Sequence, residues 1–304
     1  MEILARIPQL IVYGLISGAI LSLGAIGLSL TYSILRFANF GHGDLMMVGA
    51  YFSLAFLALT GKLGISNKGF LGLSFGGGML VAMVLAMGAT AGVAMLLDRL
   101  IYRHLRKAQP VLLLMASVGV AFVLRNAVLF SAGPDHMYYS LRIQRAMVLW
   151  GIRVKPDHFF ILAVALLCVV SVWFFLTRTK MGKAMRAMAD NPDLSKVTGI
   201  NTERVVVWAW VIGAALAAIG GTLAGIENKL IRPELGWQML LSLFAAVTLG
   251  GIGNPYGAMV GGMIIGLSGE ISTAFISPAY KPAVAFAILV LILVLRPKGL
   301  FGRH

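Results

Sequence analysis

The 304-residue chain is 59% hydrophobic and 12% charged, with a mean hydropathy of +0.91; that much apolar surface exceeds what one soluble core hides and belongs in lipid. Its net charge of +14 would point a soluble protein toward nucleic acid, but the basic residues sit in short connections between apolar runs, with no basic stripe interleaved with aromatics, which argues against that partner. The single cysteine, Cys168, lies inside an apolar run and reads as a packing residue, and no polar stretch is long enough to fold alone, so residues 1–304 are expected to form one membrane domain.

A bilayer core about 30 Å thick is crossed by about 20 helical residues. On that ruler the apolar runs predict helices over 10–35, 44–60, 72–97, 111–130, 159–176, 205–226 and 277–295. The first run, Ile7 to Leu35, has 29 residues without a formal charge and no small-residue cleavage site after it, so it is expected to remain as a span rather than leave as a signal peptide. Leu235 to Gly269 has 35 residues without a formal charge; as one helix it would run about 52 Å and overshoot the bilayer. It must break, and Gly250-Gly251-Ile252-Gly253-Asn254-Pro255 is where the backbone is freest. Two passes result, 238–252 and 257–276. The expected fold is an all-α polytopic transmembrane bundle of nine passes, within a range of eight to ten, with room for broken or re-entrant helices.

Lysine and arginine placement sets the orientation. Arg99, Arg103, Arg106 and Lys107 in the 98–110 connection, Arg178 to Arg204 in the 177–204 connection, and the tail with Arg296, Lys298 and Arg303 all read as cytoplasmic. Counting back from residue 98 puts the N-terminus outside. The outer 131–158 loop carries Arg142, Arg145, Arg153 and Lys155, which weakens the asymmetry. Glycine pairs at helical spacing, Gly14/Gly18, Gly221/Gly225, Gly257/Gly261 and Gly262/Gly266, predict close helix packing.

Polar groups at membrane depth are costly unless they line water or bind something. Phe37 to Asp44 places Asn39, Gly41, His42, Gly43 and Asp44 between two apolar runs, and reads either as a re-entrant element facing the path or as a plain cytoplasmic turn. His42 has no second metal ligand at usable spacing. Asn254 and Gly257 have a similar look, which hints at an inverted repeat, although chance likeness among glycine-rich segments accounts for it as well. In 181–190, Met181, Met185 and Met188 share one helical face and Lys183, Arg186 and Asp190 the other. That short amphipathic helix, stopped by Pro192, is expected either to offer its methionines to a partner protein or to lie flat on headgroups. Glu270, inside a late apolar pass, is assigned a structural or interfacial role, and Arg125 and Asn126 an interface anchor. Gly72-Leu73-Ser74-Phe75-Gly76 matches the hydrolase nucleophile pattern but lacks its strand-turn-helix context. No Walker or zinc-protease motif occurs.

Four ordered segments together resemble the branched-chain amino acid permeases of the LivH type, within the ABC-importer permease family that includes ribose and urea permeases. They are Asn39-Phe40-Gly41-His42-Gly43 with Met47 to Tyr51; Met181 to Ala187 with Asn191 and Gly199-Ile200-Asn201; Gly250 to Gly257; and the tail Leu295 to Gly302. The resemblance implies a multi-pass subunit of the bacterial inner membrane that translocates leucine, isoleucine or valine by alternating access. It implies a second homologous permease, two cytoplasmic ABC ATPases and a periplasmic amino-acid-binding protein as partners. ATP and magnesium would be held by the ATPases, with no cofactor, metal or catalytic residue in this chain. Met181, Gly182, Met185, Arg186, Ala187, Asn191 and Gly199 would contact an ATPase, and Asn39, Gly41, His42, Gly43, Asn254 and Gly257 would line the path. Met188, Asp190 and Pro192 depart from the family's usual glycine or alanine. The same machinery carrying urea or short amides is the alternative cargo, and an ion-coupled secondary transporter the alternative machine.

Overall fold

The computed structural model describes residues 2–302 except 66, 68, 70, 71, 107, 140, 143 and 150; Lys107 and Arg303, used in the charge argument, lie outside the described residues. In chain order it contains α1 (Glu2–Leu35), α2 (Gly41–Lys62), α3 (Gly77–Leu97), a π-helical turn (Asp98–Tyr102), α4 (Arg103–Leu105), α5 (Pro110–Ala132), β1 (Met137–Tyr138), β2 (Met147–Leu149), β3 (Ile152–Val154) and α6 (Pro156–Arg178). It continues with α7 (Lys180–Asp190), α8 (Pro192–Val197), α9 (Thr202–Asn228), β4 (Leu230–Ile231), α10 (Leu235–Gly250), α11 (Pro255–Ser272), a 3-10 turn (Pro278–Tyr280) and α12 (Lys281–Leu295). The strands are minor: β2 and β3 form a hairpin, and β1 pairs antiparallel with β4, Met137 opposite Ile231.

A helix stands over each of the nine predicted apolar runs. Seven helical stretches among the described residues are long and apolar enough to cross a bilayer unaided. The remaining two, α10 and α11, are the halves of the 35-residue run. The expected break occurs at Gly251, whose φ of +106° only glycine adopts readily. Asn254 then starts α11, its Oδ1 accepting from the backbone N–H groups of Tyr256 and Gly257 at 3.1 and 3.2 Å. These shorter helices are held by contact rather than by hydropathy. On α11, a Cβ at Gly266 would lie 2.3 Å from Gly18 Cα, and one at Gly262 would lie 2.7 Å from Ser22 Cα. The predicted small-residue pairs therefore bring α1 and α11 into backbone contact.

The segments read as cytoplasmic share one end of the bundle. Arg106 donates to Glu203 at 2.7 Å, joining the end of α4 to the start of α9, and the tail bonds back to α10 through Leu300 N–H to the Leu249 carbonyl at 2.8 Å. The opposite end is tied by Gln9 to Arg153, in both directions at 2.8–2.9 Å, and by His158 to Glu227 at 3.3 Å. The start of α1 is thus at the end away from the basic connections, as the count from residue 98 requires.

Candidate functional site: two broken helices and a basic ridge

Two non-glycine residues have positive φ among the described residues: Arg36 at +59° and Lys229 at +58°. Each follows a long helix and begins a break, Arg36 between α1 and α2, Lys229 between α9 and α10. A bulky residue held there costs on the order of 1 kcal/mol, so each chain reversal is imposed by its surroundings. Arg36 is held by its guanidinium, which donates to the Ala189 carbonyl of α7.

After Arg36 the chain re-enters the bundle. His42 Nε2 lies 3.0 Å from the Gly24 carbonyl oxygen, and Gly24 is eleven residues before the end of α1, a rise of roughly 16 Å. Residues 36–40 cover that distance through the left-handed Arg36, a bend and the turn at Phe40, so the first turn of α2 lies beside the middle of α1. Phe37, Asn39, His42 and Asp44 are buried, so Phe37–Asp44 is a break within the bundle rather than an exposed turn, and α2 continues from it to Lys62. A carbonyl only accepts, so Nε2 carries the proton, while Nδ1, buried, has no partner. Asn39 Oδ1 accepts from Gly41 N–H at 3.0 Å and from the Tyr102 hydroxyl at 3.3 Å. Phe40 N–H donates to Ser117 Oγ at 3.1 Å. Tyr102, in the π-helical turn, stacks on Trp210 with centroids 5.2 Å apart, and the Trp210 indole donates to Asp98 Oδ1 at 2.8 Å. The break is thereby wired to α5 and the π-helical turn, and through that turn to α9.

The second break mirrors the first from the other end. Tyr139 N–H donates to the Lys229 carbonyl at 3.2 Å, β4 pairs with β1, and the Tyr139 hydroxyl donates to the Ala50 carbonyl at 2.8 Å. Burial pushes the Tyr139 phenol above its usual pKa, so it remains a neutral donor. The chain returns at Leu235, and the first turns of α2 and α10 meet, with Gly43 against Gly236. The partner of the Phe37–Gly43 break is therefore Lys229–Gly236. Asn254 and Gly257 lie elsewhere: Asn254 Nδ2 donates to the Phe301 carbonyl of the tail at 3.1 Å, and Gly257 packs on Gly250, where a Cβ would stand 2.2 Å from the carbonyl oxygen.

The amphipathic helix exists as α7, but its methionine face is turned inward. Met185 and Met188 are 2% and 7% exposed and belong to the core, with Met181 half-buried beside them. Gly182 is the point of closest approach, since a Cβ there would be 2.6 Å from Leu176 Cα. The apolar stripe anchors the ridge to its own bundle, so the expectation of a methionine docking surface is corrected. Lys183, Arg186 and Asn191 face out, with Ala187 half-buried, and Leu194 and Val197 of α8 are 60% and 85% exposed. Asn191 Oδ1 caps α8 through Asp193 and Leu194 N–H, and Gly199, at φ +83°, ends it. Behind the ridge a cavity of about 430 Å³ brings Met185 and Arg186 together with Arg36 and Asn254.

Residues 10–293 match the family described as branched-chain amino acid transport system, permease component. The chain belongs to that permease family. It is 31% identical over 295 residues to the high-affinity branched-chain amino acid transport system permease protein LivH of Salmonella typhimurium, covering 95% of this chain and 94% of that one. It is 30% identical over 300 residues to BraD of Pseudomonas aeruginosa, covering 97% and 95%. The permease protein LivM of Escherichia coli K12 is 28% identical over 158 residues, 50% of this chain and 36% of that one. A solved structure described as PsaBC from Streptococcus pneumoniae in complex with Fab aligns with a TM-score of 0.51 at 13% identity, over 99% and 97% of the two chains, a likeness of fold alone. This permease is a multi-pass protein of the bacterial inner membrane.

One charged pair of the permease differs from its reading in the sequence. Arg125 is no interface anchor: its Nη2 donates to both oxygens of the fully buried Asp44 at 3.2 and 3.4 Å, and its guanidinium lies 5.4 Å from the Trp237 ring centre. Asn126 donates to the Phe122 carbonyl of its own helix at 2.8 Å. Asp44 and Arg125 stand 81 residues apart, so no local pattern joins them. Glu270, by contrast, is interfacial as expected: it accepts from Ser17 of α1 at 2.9 Å and Lys281 of α12 at 2.6 Å. Ser74 of the hydrolase-like pattern is buried in the outer loop, its backbone N–H donating to Asp157 Oδ1 at 3.0 Å. Among the described residues no group of three His, Cys, Asp or Glu could hold a metal.

Proposed function

We propose that this chain is one of two permease subunits of an ATP-driven importer for branched-chain amino acids, and that it makes and breaks no covalent bond in its cargo. Two separate cytoplasmic ATPases would hold ATP and magnesium, and one of them docks on the outer face of α7 and α8 around Lys183, Arg186, Leu194 and Val197. A periplasmic binding protein delivers the amino acid at the opposite end. The names of the relatives support the cargo class.

The observation that carries the mechanism is the bond from the Arg36 guanidinium to the Ala189 carbonyl. It ties the docking ridge directly to the left-handed residue at which α1 turns back into the bundle. Movement of α7 by the closing ATPases is thereby transmitted to the start of α2, and through Gly43 to Gly236 at the start of α10. Two helices that meet at their first turns inside the bundle suit alternating access, since tilting one against the other opens one end while closing the other. The basic ridge is the outward side, so complementary acidic groups on the ATPase are expected.

Uptake of labelled leucine by vesicles holding the complete importer tests this reading. ATP-dependent, gradient-independent accumulation is expected. Uphill transport by the isolated chain under an ion gradient with ATP depleted would overturn it.

A further inference from the structure

A cavity of about 240 Å³ lies between α1, α9, α10, α11 and α12, in the half of the bundle away from the ridge. At about 30 Å³ per water it holds roughly eight waters, the bulk of one molecule of about nine heavy atoms, and is smaller than the roughly 300–1,000 Å³ of drug-sized sites. Its wall is chemically divided. Ser17, Glu227, Gln238, Glu270 and Lys281 supply two carboxylates, an ammonium, an amide and a hydroxyl, while Ile20 and Ile265 supply apolar surface.

Ionised groups in a span are expensive, and a hydrophobic pair of the same size would hold α11 to α12 as well. Both bonds to Glu270 are made at Oε1, from Ser17 and Lys281; Oε2 makes none among the described residues. The Lys281 ammonium has three donors, and one is used by Glu270. The site therefore keeps both acceptor and donor capacity facing a space of limited size. It lies toward the outer end, where Glu227 closes α9 and Lys281 opens α12, and Leu235 and Gln238 at the start of α10 form part of its wall.

We propose that this cavity binds one zwitterionic α-amino acid with an apolar side chain. The ligand carboxylate meets Lys281, its ammonium lies between Glu270 and Glu227, and its side chain packs on Ile20 and Ile265. The proposal rests on the importer reading for its direction of delivery, and adds a site within this single subunit. Because α10 begins in the wall, a tilt of the second break changes the cavity's shape and releases the ligand inward.

Gly269 lines the cavity, and a Cβ there would meet nothing within 4 Å, so a leucine side chain at this position starts in open space and occupies cavity volume. In the reconstituted importer with its binding protein, Gly269→Leu is expected to lower ATP-driven uptake of labelled leucine at least tenfold. Gly92→Leu, the same change at an exposed position of α3 with nothing within 4 Å, leaves it within twofold. Lys281→Met is expected to lower uptake as far, and the exchange Glu270→Lys with Lys281→Glu, which keeps the α11–α12 ion pair, does not restore it. Labelled leucine binding to the purified complex, lost in Gly269→Leu, reads the site apart from transport. Leucine uptake and binding within twofold of wild type in Gly269→Leu, or recovery in the exchange variant, would overturn the proposal. Loss of ATP dependence in the wild type with leucine binding intact would overturn the importer reading instead.

Discussion

Gly43 and Gly236 lie backbone against backbone where the first turns of α2 and α10 meet: a Cβ on Gly43 would stand 2.4 Å from the Gly236 carbonyl oxygen, and one on Gly236 2.5 Å from that of Gly43. No side chain intervenes, so the starts of α2 and α10 move as one contact. A single added methyl tests it.

Gly43→Ala and Gly236→Ala are each expected to destabilise the fold by about 1–3 kcal/mol through overpacking. Gly88→Ala, in α3 with open space around the glycine, is expected to be neutral or to stabilise by up to about 1 kcal/mol from helix propensity. Thermal unfolding followed by size-exclusion chromatography in detergent checks the ranking, and equal melting points in the three variants would contradict the close approach.

Asp44 is fully buried against Arg125, whose side chain is 16% exposed. Arg125→Met alone strands a carboxylate and is expected to cost about 3–5 kcal/mol, whereas Asp44→Leu with Arg125→Met recovers most of that loss. A double-mutant cycle on melting temperature measures it. If the pair is only structural, the double variant also transports; loss of uptake with recovered stability would assign the charges to the path.

On α7 the two faces have opposite roles. Met185→Asp puts a charge into the core and is expected to lower the folded yield, while Arg186→Asp changes an exposed residue that also borders the cavity behind the ridge. The second variant should insert normally, yet lose ATPase stimulation and uptake together by at least fivefold. Normal uptake in Arg186→Asp would remove α7 as the docking ridge.

Arg36 and Lys229 hold the same strained φ but differ in partners. Lys229→Gly is expected to stabilise by about 1 kcal/mol by removing the cost of the left-handed conformation, with transport retained. Arg36→Gly relieves the same strain and loses the bond to Ala189, so stability is kept while coupling of ATP hydrolysis to uptake falls. Measuring melting temperature and the ratio of leucine moved to ATP hydrolysed separates the two.

The helices were legible because lipid imposes a one-dimensional rule: each apolar run of sufficient length must become helix to satisfy its backbone, and Gly251 to Asn254 had to break a run too long for the bilayer. The breaks at Arg36 and Lys229 were not equally visible. Polar Asn39, His42 and Asp44 mark the first, but the second is carried by Pro233 and Gly236 in a stretch that looks like an outer loop. Asn254 carries the stronger likeness to Asn39, and its amide serves the tail and the first turn of α11. The methionine stripe of α7 shows the same ambiguity. Periodicity identifies an apolar face and cannot say whether a partner or the chain's own bundle covers it.

The sequence by itself determined the membrane class, the positions of the apolar helices, the end of the bundle that carries the basic connections and the family, because each depends on local composition or on ordered motifs. Only the tertiary structure decided that Asp44 takes Arg125, that Glu270 takes Ser17 and Lys281, and that Gly43 meets Gly236. Those pairings join residues 81, 253 and 193 positions apart at their widest. Contacts of that range are set by how whole helices cross, where a few ångströms of backbone approach select the partner and no repeat within a helix records the choice.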